Sequence, residues 1–258
     1  MRIQAKRANR TGMADLLPPP ADLLIGAALF LDFDGTLVEL AETPDAIRLP
    51  DTLRPLLERL AERLEGRLAI VSGRAVADLD GHLGRCGVAV SGSHGLELRF
   101  ADGQALPLAL PEALEEAREA LTALAAKDPR LLVEHKPASV ALHFRKAPER
   151  AGEAEAYVAE VAERTGLCVQ PGKMVLELRP HGADKGDAVR RLMTEPPFTG
   201  ARPLFVGDDL TDEHAFAAAA ALGGAGILVG PARQTAAAWR LESVEAVTAW
   251  LSGAVAYA

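Results

Sequence analysis

The most informative residues of this chain are two aspartates that follow an apolar run at 29–36, Leu-Phe-Leu-Asp-Phe-Asp-Gly-Thr. The apolar run predicts a buried strand, and Asp32 and Asp34 lie just beyond its carboxyl end, where open α/β sheets bind their ligands. Because side chains two apart on a strand point to the same face, both carboxylates can serve one site. Gly35 permits a sharp turn, and the Thr36 hydroxyl can cap the next segment of the chain. The pattern suits an aspartate nucleophile and an acid/base aspartate beside a metal ion, although an ordinary strand-to-loop turn has the same composition.

Two further apolar runs end in residues that can bind phosphate or a metal ion. Residues 68–71 lead into Ser72-Gly73-Arg74, and residues 204–206 lead into Gly-Asp-Asp-Leu-Thr-Asp-Glu at 207–213. Lys185 lies in a segment, Ala-Asp-Lys-Gly at 183–186, that predicts the opening of a helix. Because a parallel sheet brings the carboxyl ends of its strands to one edge, we expect these groups to share a crevice with Asp32. One such group alone is weak evidence, whereas four in this order favour a phosphotransfer site.

From Leu29 onward, the chain with these motifs resembles the haloacid dehalogenase superfamily of phosphotransferases. Three segments are similar to its trehalose-6-phosphate phosphatase branch: Gly-Asp-Asp-Leu-Thr-Asp-Glu at 207–213, Gly-Ser-His-Gly-Leu-Glu at 92–97 and Gly-Lys-Met-Val-Leu-Glu-Leu-Arg-Pro at 172–180. The resemblance implies Mg²⁺-dependent hydrolysis of trehalose 6-phosphate through an aspartyl-phosphate intermediate. It also implies an α/β fold, with a Rossmann-like doubly wound parallel-sheet core and a small inserted α+β cap domain.

The resemblance assigns a role to each matching residue. Asp32 is the expected nucleophile, and Asp34 is the expected general acid and base. The expected magnesium ligands are Asp32, the backbone carbonyl of Asp34 and Asp208. Asp209 and Asp212 either are secondary ligands or orient the residues that bind the ion, and of these two only Asp209 is a candidate metal residue. Asp212 can also simply open the helix that follows it, so its role stays open. The expected phosphate-binding residues are Ser72, Gly73 and Lys185.

The middle of the chain has a different pattern from its two ends. Residues 111–126 and 149–164 predict helices, and four short runs near 131–136, 139–145, 167–170 and 174–179 predict strands. Connections that are too short for parallel crossovers favour a small antiparallel α+β layer. We therefore expect a disordered basic tail at 1–21, a phosphatase core formed by 22–103 and 181–258 with a helix over 51–65, and an inserted cap over 104–180.

One face of the predicted cap sheet carries the candidate sugar-binding residues. Apolar side chains such as Leu142 and Leu176 alternate with polar ones, so the apolar face should pack on the two cap helices. An antiparallel sheet with one solvated face gives the same alternation without any function. The resemblance assigns sugar contacts to Lys173 and Glu177, and Arg74 can either reach the substrate or pair with a nearby carboxylate. The substrate-binding candidates are Arg74, His143, Arg145, Lys173 and Glu177.

Composition limits the partners and the compartment. The net charge of −8 argues against nucleic acid as the main partner. Cys86 and Cys168 form no metal-binding spacing and no disulfide framework, which is typical of a reducing compartment. Asp15 and a run of prolines interrupt the basic first twenty residues and argue against a signal peptide, and no apolar run is long enough to span a bilayer. We expect a cytoplasmic monomer that binds a small sugar phosphate, with no nucleic-acid or membrane partner.

Two alternative functions stay open at this point. Another sugar-phosphate phosphatase or phosphomutase of the same superfamily, acting on sucrose or mannosylglycerate phosphate, shares the core motifs, so only the cap can discriminate. A non-catalytic sugar-phosphate-binding module belongs to a different class of protein. Such modules usually lose a chemical residue, and this chain has all five: Asp32, Asp34, Ser72, Lys185 and Asp208.

Overall fold

The computed structural model describes residues 16–20, 22–40, 47–106, 112–172, 174–180 and 184–256. The helices of these residues are α1 (Leu53–Arg63), α2 (Val76–Leu83), α3 (Glu112–Ala125), α4 (Ala151–Thr165), α5 (Lys185–Leu192), α6 (Glu213–Ala221) and α7 (Val244–Ala256). The strands are β1 (Ala27–Leu31), β2 (Leu68–Val71), β3 (Ala89–Gly92), β4 (Glu97–Arg99), β5 (Ala105–Leu106), β6 (Leu132–Lys136), β7 (Ser139–His143), β8 (Cys168–Gly172), β9 (Val175–Arg179), β10 (Arg202–Gly207), β11 (Ala225–Val229) and β12 (Trp239–Leu241). None of the described helices combines the length and the apolar character that crossing a membrane requires.

Contacts along the chain define two compact units. The first unit comprises the described residues up to Ile70 and those from Val189 onward, and the second comprises Val71–Ala188. The boundaries predicted from the sequence, at 103/104 and 180/181, remain predictions. Most of the predicted tail lies outside the described residues, but the carbonyl of Leu17 accepts a hydrogen bond from the Arg240 amide at 3.0 Å, which ties residues 16–20 to the first unit.

The first unit is built on a parallel sheet. Its strands lie in the order β12-β11-β10-β1-β2, and each neighbouring pair is parallel. All five residues of β1 are buried, as expected for a strand that is covered on both faces. In the register of β1 with β10, Leu31 pairs with Val206, so β10 ends one residue beyond β1. The predicted α/β fold with a parallel sheet is therefore confirmed.

Helix α1 illustrates how the sequence determines the first unit. Leu53, Leu56, Leu57 and Leu60 recur at helical spacing and are all buried, which confirms the helix predicted over 51–65. The chain leaves the helix at Gly66, whose φ of +83° belongs to the left-handed region that glycine adopts without strain.

The second unit contains two antiparallel arrangements of strands. Strand β4 pairs with β3 and with β5, and a separate four-stranded sheet has the order β6-β7-β9-β8. The four strands of this sheet correspond to the four runs predicted near 131–136, 139–145, 167–170 and 174–179. Helices α3 and α4 contribute buried side chains, including Leu121 and Val158, to one apolar core with Leu142 and Leu178 of the sheet. The prediction that the apolar face packs on two helices is confirmed.

The core of the second unit can be tested by truncating one side chain. Leu142 is completely buried, so Leu142→Ala leaves a cavity and should lower the free energy of unfolding by about 2–5 kcal/mol. Leu132→Ala is the matched control, because Leu132 lies in the same sheet and is 63% exposed, and it should change the stability by less than about 0.5 kcal/mol. The measurement is the urea dependence of far-ultraviolet circular dichroism, and equal losses in the two variants would contradict the assigned core.

Candidate active site

Three carboxylates converge at one edge of the parallel sheet in the first unit. Asp32 follows β1 directly, Asp208 follows β10 directly, and Asp212 ends a short 3₁₀ turn over Leu210–Asp212. One oxygen of each carboxylate lies within 4.8 Å of an oxygen of each of the other two. Asp32 and Asp212 are buried, and Asp208 is partly exposed. Three acidic oxygens this close repel one another, and hard oxygen ligands of this kind fit Mg²⁺ or a similar cation. We call these three residues the acid cluster.

The turn after β10 places Asp212 in the acid cluster. The amide of Asp209 donates to the Asp212 carboxylate at 2.9 Å, and the Asp209 carboxylate accepts from the amide of Asp212, so the two residues form a reciprocal capping box. The Asp209 carboxylate also accepts from the Leu210 amide at 2.6 Å. Gly207 leaves room for this turn, because a Cβ there would lie 2.4 Å from Cγ of Asp212.

The predicted secondary ligands differ in their positions. Asp209 is exposed and its carboxylate caps the turn, so it lies outside the acid cluster, and its role as a ligand stays a prediction. Asp212 is the third acid of the cluster, whereas the sequence favoured Asp209 as the candidate metal residue and left the role of Asp212 open. The usable sequence signal was the Asp-x-x-Asp spacing of a capping box.

The turn after β1 seats the carboxylate of Asp208. A Cβ on Gly35 would lie 2.2 Å from Oδ2 of Asp208, and the φ of Gly35 is +79°, so both space and conformation require glycine. Thr36 is completely buried, and its hydroxyl donates to Oδ1 of Asp208 at 3.3 Å. Asp34 is partly exposed, and its backbone bridges to Val38 within the same turn. Asp34 does not contribute a carboxylate to the acid cluster, and the predicted role of its carbonyl as a ligand stays a prediction.

The predicted phosphate-binding residues lie in the second unit. Ser72 follows β2 and is almost completely buried, and its hydroxyl accepts a hydrogen bond from the Arg74 amide at 3.1 Å. The guanidinium of Arg74 pairs with Asp78 of α2 at 2.8 Å, which realises the carboxylate-pairing alternative. Its contact with substrate stays a prediction.

Lys185 begins α5 and is only 4% exposed. Asp184 and Asp187 cap this helix reciprocally, since each side chain accepts a hydrogen bond from the amide of the other, at 2.8 and 3.3 Å. Gly95 lies against the carbonyl oxygen of Asp184, where a Cβ would approach to 2.7 Å. The loop before β4 is therefore packed directly on the start of the lysine helix.

His94 is buried in the second unit and lies within electrostatic range of several charged side chains. A Cβ on Gly73 would lie 2.7 Å from Cε1 and Nε2 of His94, so the imidazole lies directly on the segment after Ser72. Burial, followed by the positive charges of Arg179 and Lys185, lowers the pKa of His94 to about 4, although the charge of Glu177 acts in the opposite direction. His94 is therefore neutral at neutral pH, although the sequence assigned it no role.

The polar face of the four-stranded sheet carries an organised carboxylate. The two oxygens of Glu177 accept hydrogen bonds from the Ser139 hydroxyl and the Lys136 ammonium, each at 2.6 Å. Burial alone would raise the pKa of Glu177, but the bonds from Lys136 and Ser139 outweigh it and lower the pKa below its ordinary value. Ser139 and Ala141 are buried on this face, so it is not simply solvated. The two partners of Glu177 lie at the end of β6 and the start of β7, and no local sequence pattern identified them.

The other candidate sugar-binding residues are His143, Arg145 and Lys173. His143 pairs with Glu134 at 2.8 Å, and Arg145 is exposed. Lys173 lies outside the described residues. Their roles in substrate binding stay predictions.

The fold that gathers these acids is that of a haloacid dehalogenase-like hydrolase: one from Bacteroides thetaiotaomicron superposes with a TM-score of 0.66 at 18% identity, covering 87% of this chain and 98% of that chain. A model of the family described as trehalose-phosphatase matches residues 30–245. The chain belongs to the trehalose-phosphatase family.

Individual relatives agree with this family. A probable trehalose-phosphate phosphatase of Sinorhizobium fredii is 42% identical over 206 residues, which are 79% of this chain and 78% of that protein. The trehalose-6-phosphate phosphatase of Escherichia coli is 36% identical over 245 residues, covering 93% of this chain and 90% of that protein. The structure is also similar to that of an Aspergillus fumigatus trehalose-6-phosphate phosphatase, with a TM-score of 0.71 and 26% identity, covering 94% of this chain and 100% of that chain.

The electrostatic environment of His94 can be tested by an NMR titration of its imidazole protons. We expect a midpoint near pH 4, and we expect Arg179→Met to raise it because the guanidinium repels the protonated ring. Because the unfolded chain binds this proton at higher pH, His94 should also lower the free energy of unfolding as pH falls from about 6.5 towards 4.

Two variants make this titration specific. Loss of the resonance in His94→Gln assigns it, and Arg145→Met removes an exposed arginine of the same unit and should leave the midpoint unchanged. A midpoint near 6.5 in the unmodified chain would contradict the described environment.

Proposed function

We propose that this protein hydrolyses trehalose 6-phosphate to trehalose and phosphate, with Mg²⁺ bound by the acid cluster. The observation that carries the proposal is the convergence of Asp32, Asp208 and Asp212 at neighbouring strand ends in a member of the trehalose-phosphatase family. The relatives from Sinorhizobium fredii and Escherichia coli have this phosphatase activity in their names.

The residues of the acid cluster fit a small hard cation. Their ligand atoms are carboxylate oxygens, and Gly35 and Gly207 keep side-chain atoms out of the space beside Asp208 and Asp212. When bound, the ion would offset the repulsion between the Asp32 carboxylate and an incoming phosphate group. The carbonyl of Asp34 and the carboxylate of Asp209 remain proposed additional ligands.

Asp32 is the proposed nucleophile. Its carboxylate oxygen forms a bond to phosphorus while the bond from phosphorus to the sugar oxygen breaks, and Asp34 donates a proton to that departing oxygen. Water then attacks phosphorus, Asp34 accepts its proton, and the bond between Asp32 and phosphorus breaks to release phosphate. The different environments support this division of roles, because Asp32 is 4% exposed and fixed after β1 whereas Asp34 is partly exposed and lies in the turn that follows.

Ser72, Gly73 and Lys185 are the proposed phosphate-binding residues. Lys185 is buried at the start of α5, where the positive end of the helix dipole disfavours a cation. The same end of a helix favours bound anions, so this position is more consistent with phosphate binding than with a structural role. Gly73 follows Ser72 and is exposed, which suits its backbone to contact a phosphate group.

Glu177 is the proposed principal sugar-binding residue of the cap. Lys136 and Ser139 hold its carboxylate ionised and in one orientation, which suits it to accept hydrogen bonds from sugar hydroxyls. Lys173 is a proposed second sugar contact, and Arg74, His143 and Arg145 are further candidates.

The proposed chemistry is tested by magnesium-dependent phosphate release from trehalose 6-phosphate, sucrose 6-phosphate, glucose 6-phosphate and mannosylglycerate phosphate. We expect a preference for trehalose 6-phosphate, loss of activity with EDTA and recovery with excess Mg²⁺. Asp32→Asn should lower kcat by more than about 10³-fold, because it removes the nucleophile.

Asp102→Asn is the matched control, since Asp102 is an exposed loop aspartate whose carboxylate accepts a local bond from the Gln104 amide. Unchanged phosphate release by Asp32→Asn would exclude the proposed mechanism. Preference for another sugar phosphate would retain the mechanism and exclude the proposed substrate.

The role of Glu177 is tested by comparing two substrates that share a phosphate group. Glu177→Gln should lower kcat/KM for trehalose 6-phosphate by about 10- to 100-fold, the effect of losing charge-assisted hydrogen bonds. With p-nitrophenyl phosphate, which lacks the sugar, kcat/KM should change by less than about threefold. Glu119→Gln on the exposed side of α3 is the control. Equal losses with both substrates would exclude a specific role in sugar binding.

A further inference from the structure

Arg233 connects the loops that follow two neighbouring strands of the first unit. It lies in the segment between β11 and β12, and β11 is the parallel neighbour of β10. Its Nη2 donates to the carbonyl oxygens of Asp209 at 2.9 Å and of Asp208 at 3.3 Å. One side chain from the loop after β11 therefore holds the backbone of two consecutive residues in the loop after β10.

Glu213 fixes the orientation of the Arg233 guanidinium. Its Oε1 pairs with Nη1 of Arg233, and its Oε2 accepts a hydrogen bond from the Ala236 amide at 2.7 Å. Both charged side chains are about one quarter exposed, at 23% each, so solvent screens this pair less than a fully exposed one. The carboxylate that begins α6 thus anchors both the guanidinium and the segment that carries it.

The peptide between Asp208 and Asp209 is consequently held from both sides. Its N–H, which belongs to Asp209, donates to the Asp212 carboxylate, and its carbonyl oxygen, which belongs to Asp208, accepts from Arg233. Two members of the acid cluster are therefore linked through a peptide group whose orientation Arg233 restrains. A rotation of this peptide would move the Asp208 side chain and remove the hydrogen bond to Asp212 together.

We propose that Arg233 is a positioning residue of the metal site: it preorganises Asp208 and Asp212 for cation binding without touching the cation. The inference rests on the proposed magnesium site. Residues that orient metal ligands typically change metal affinity by about 10- to 100-fold when they are replaced.

A purely structural role for Arg233 makes a different prediction. If the residue only joined two loops, its replacement would lower the melting temperature and leave the metal affinity of the folded protein unchanged. The two roles therefore separate in a direct measurement of metal binding.

The test is the binding of Mn²⁺ to the full chain without substrate, measured from the electron paramagnetic resonance signal of the free ion, with Mg²⁺ as competitor. Mn²⁺ takes the oxygen ligands that Mg²⁺ takes. Arg233→Met should raise the dissociation constants of both ions by about 10- to 100-fold, and Arg233→Lys, which keeps the charge and loses the forked geometry, should give an intermediate value. In turnover, the Mg²⁺ concentration for half-maximal activity should rise, whereas KM for trehalose 6-phosphate at saturating Mg²⁺ should stay within about threefold.

Arg240→Met is the matched control. Arg240 donates to the carbonyl oxygen of Gly230 at 2.9 Å, so it also restrains the segment after β11, but its hydrogen bonds do not include Asp208 or Asp209. Its metal dissociation constants should stay within about threefold of the unmodified chain. Glu213→Gln gives a second route, because it weakens the anchor of Arg233 and keeps the guanidinium, and it should also raise the metal dissociation constants.

The outcomes separate the inference from the function on which it rests. Metal affinity of folded Arg233→Met and Glu213→Gln within about threefold of the unmodified chain overturns the inference and leaves the proposed function intact. If Arg233→Met does not fold, the metal affinities of Arg233→Lys and Glu213→Gln are compared with that of the unmodified chain instead, and values within about threefold overturn the inference. Failure of the unmodified chain to bind either ion overturns the metal site itself and the inference with it.

Discussion

Repulsion among three carboxylates is the constraint on which the first unit depends. One oxygen from each of Asp32, Asp208 and Asp212 lies within 4.8 Å of the others. At an effective dielectric constant of about 20, two unit charges at that distance repel by about 3.5 kcal/mol, so three ionised groups would lose about 10 kcal/mol in total. This is similar to the whole net stability of a domain, about 5–15 kcal/mol. The surrounding residues must therefore hold the acids in place before a cation binds.

The contacts that hold the acids act through the backbone and through short side chains. β1 and β10 end within one residue of each other, which fixes the starting points of Asp32 and Asp208. Thr36 donates to one acid, and the Asp209 amide donates to another. Such groups lose little conformational freedom when they are ordered, so the site is organised at a small entropic cost. The second unit uses the same principle at Glu177, where a lysine and a serine fix one carboxylate.

The sequence predicted those parts of the structure that depend on local patterns. Continuous apolar runs identified β1, β2 and β10, and the residues directly after them supplied Asp32, Ser72 and Asp208. The alternation of Leu142 with its neighbours also gave the correct apolar face of the four-stranded sheet. Contacts between residues far apart in the sequence could not be predicted from local patterns. Glu177 binds Lys136 and Ser139, which lie about forty residues before it in the chain. Arg233, in the loop after β11, binds the backbone of Asp208 in the loop after β10. The choice of Asp212 over Asp209 depended on a capping geometry that the spacing permits but does not require.

The absence of side chains at Gly35 and Gly207 has a genetic consequence. Cβ atoms at these positions would lie 2.2 Å from Asp208 Oδ2 and 2.4 Å from Asp212 Cγ, so even alanine would displace an acid. Every missense change in either codon adds at least a Cβ, and no such change is conservative at these positions. In a library of random variants, both codons should therefore be as intolerant as those of the aspartates, although neither glycine takes part in the chemistry.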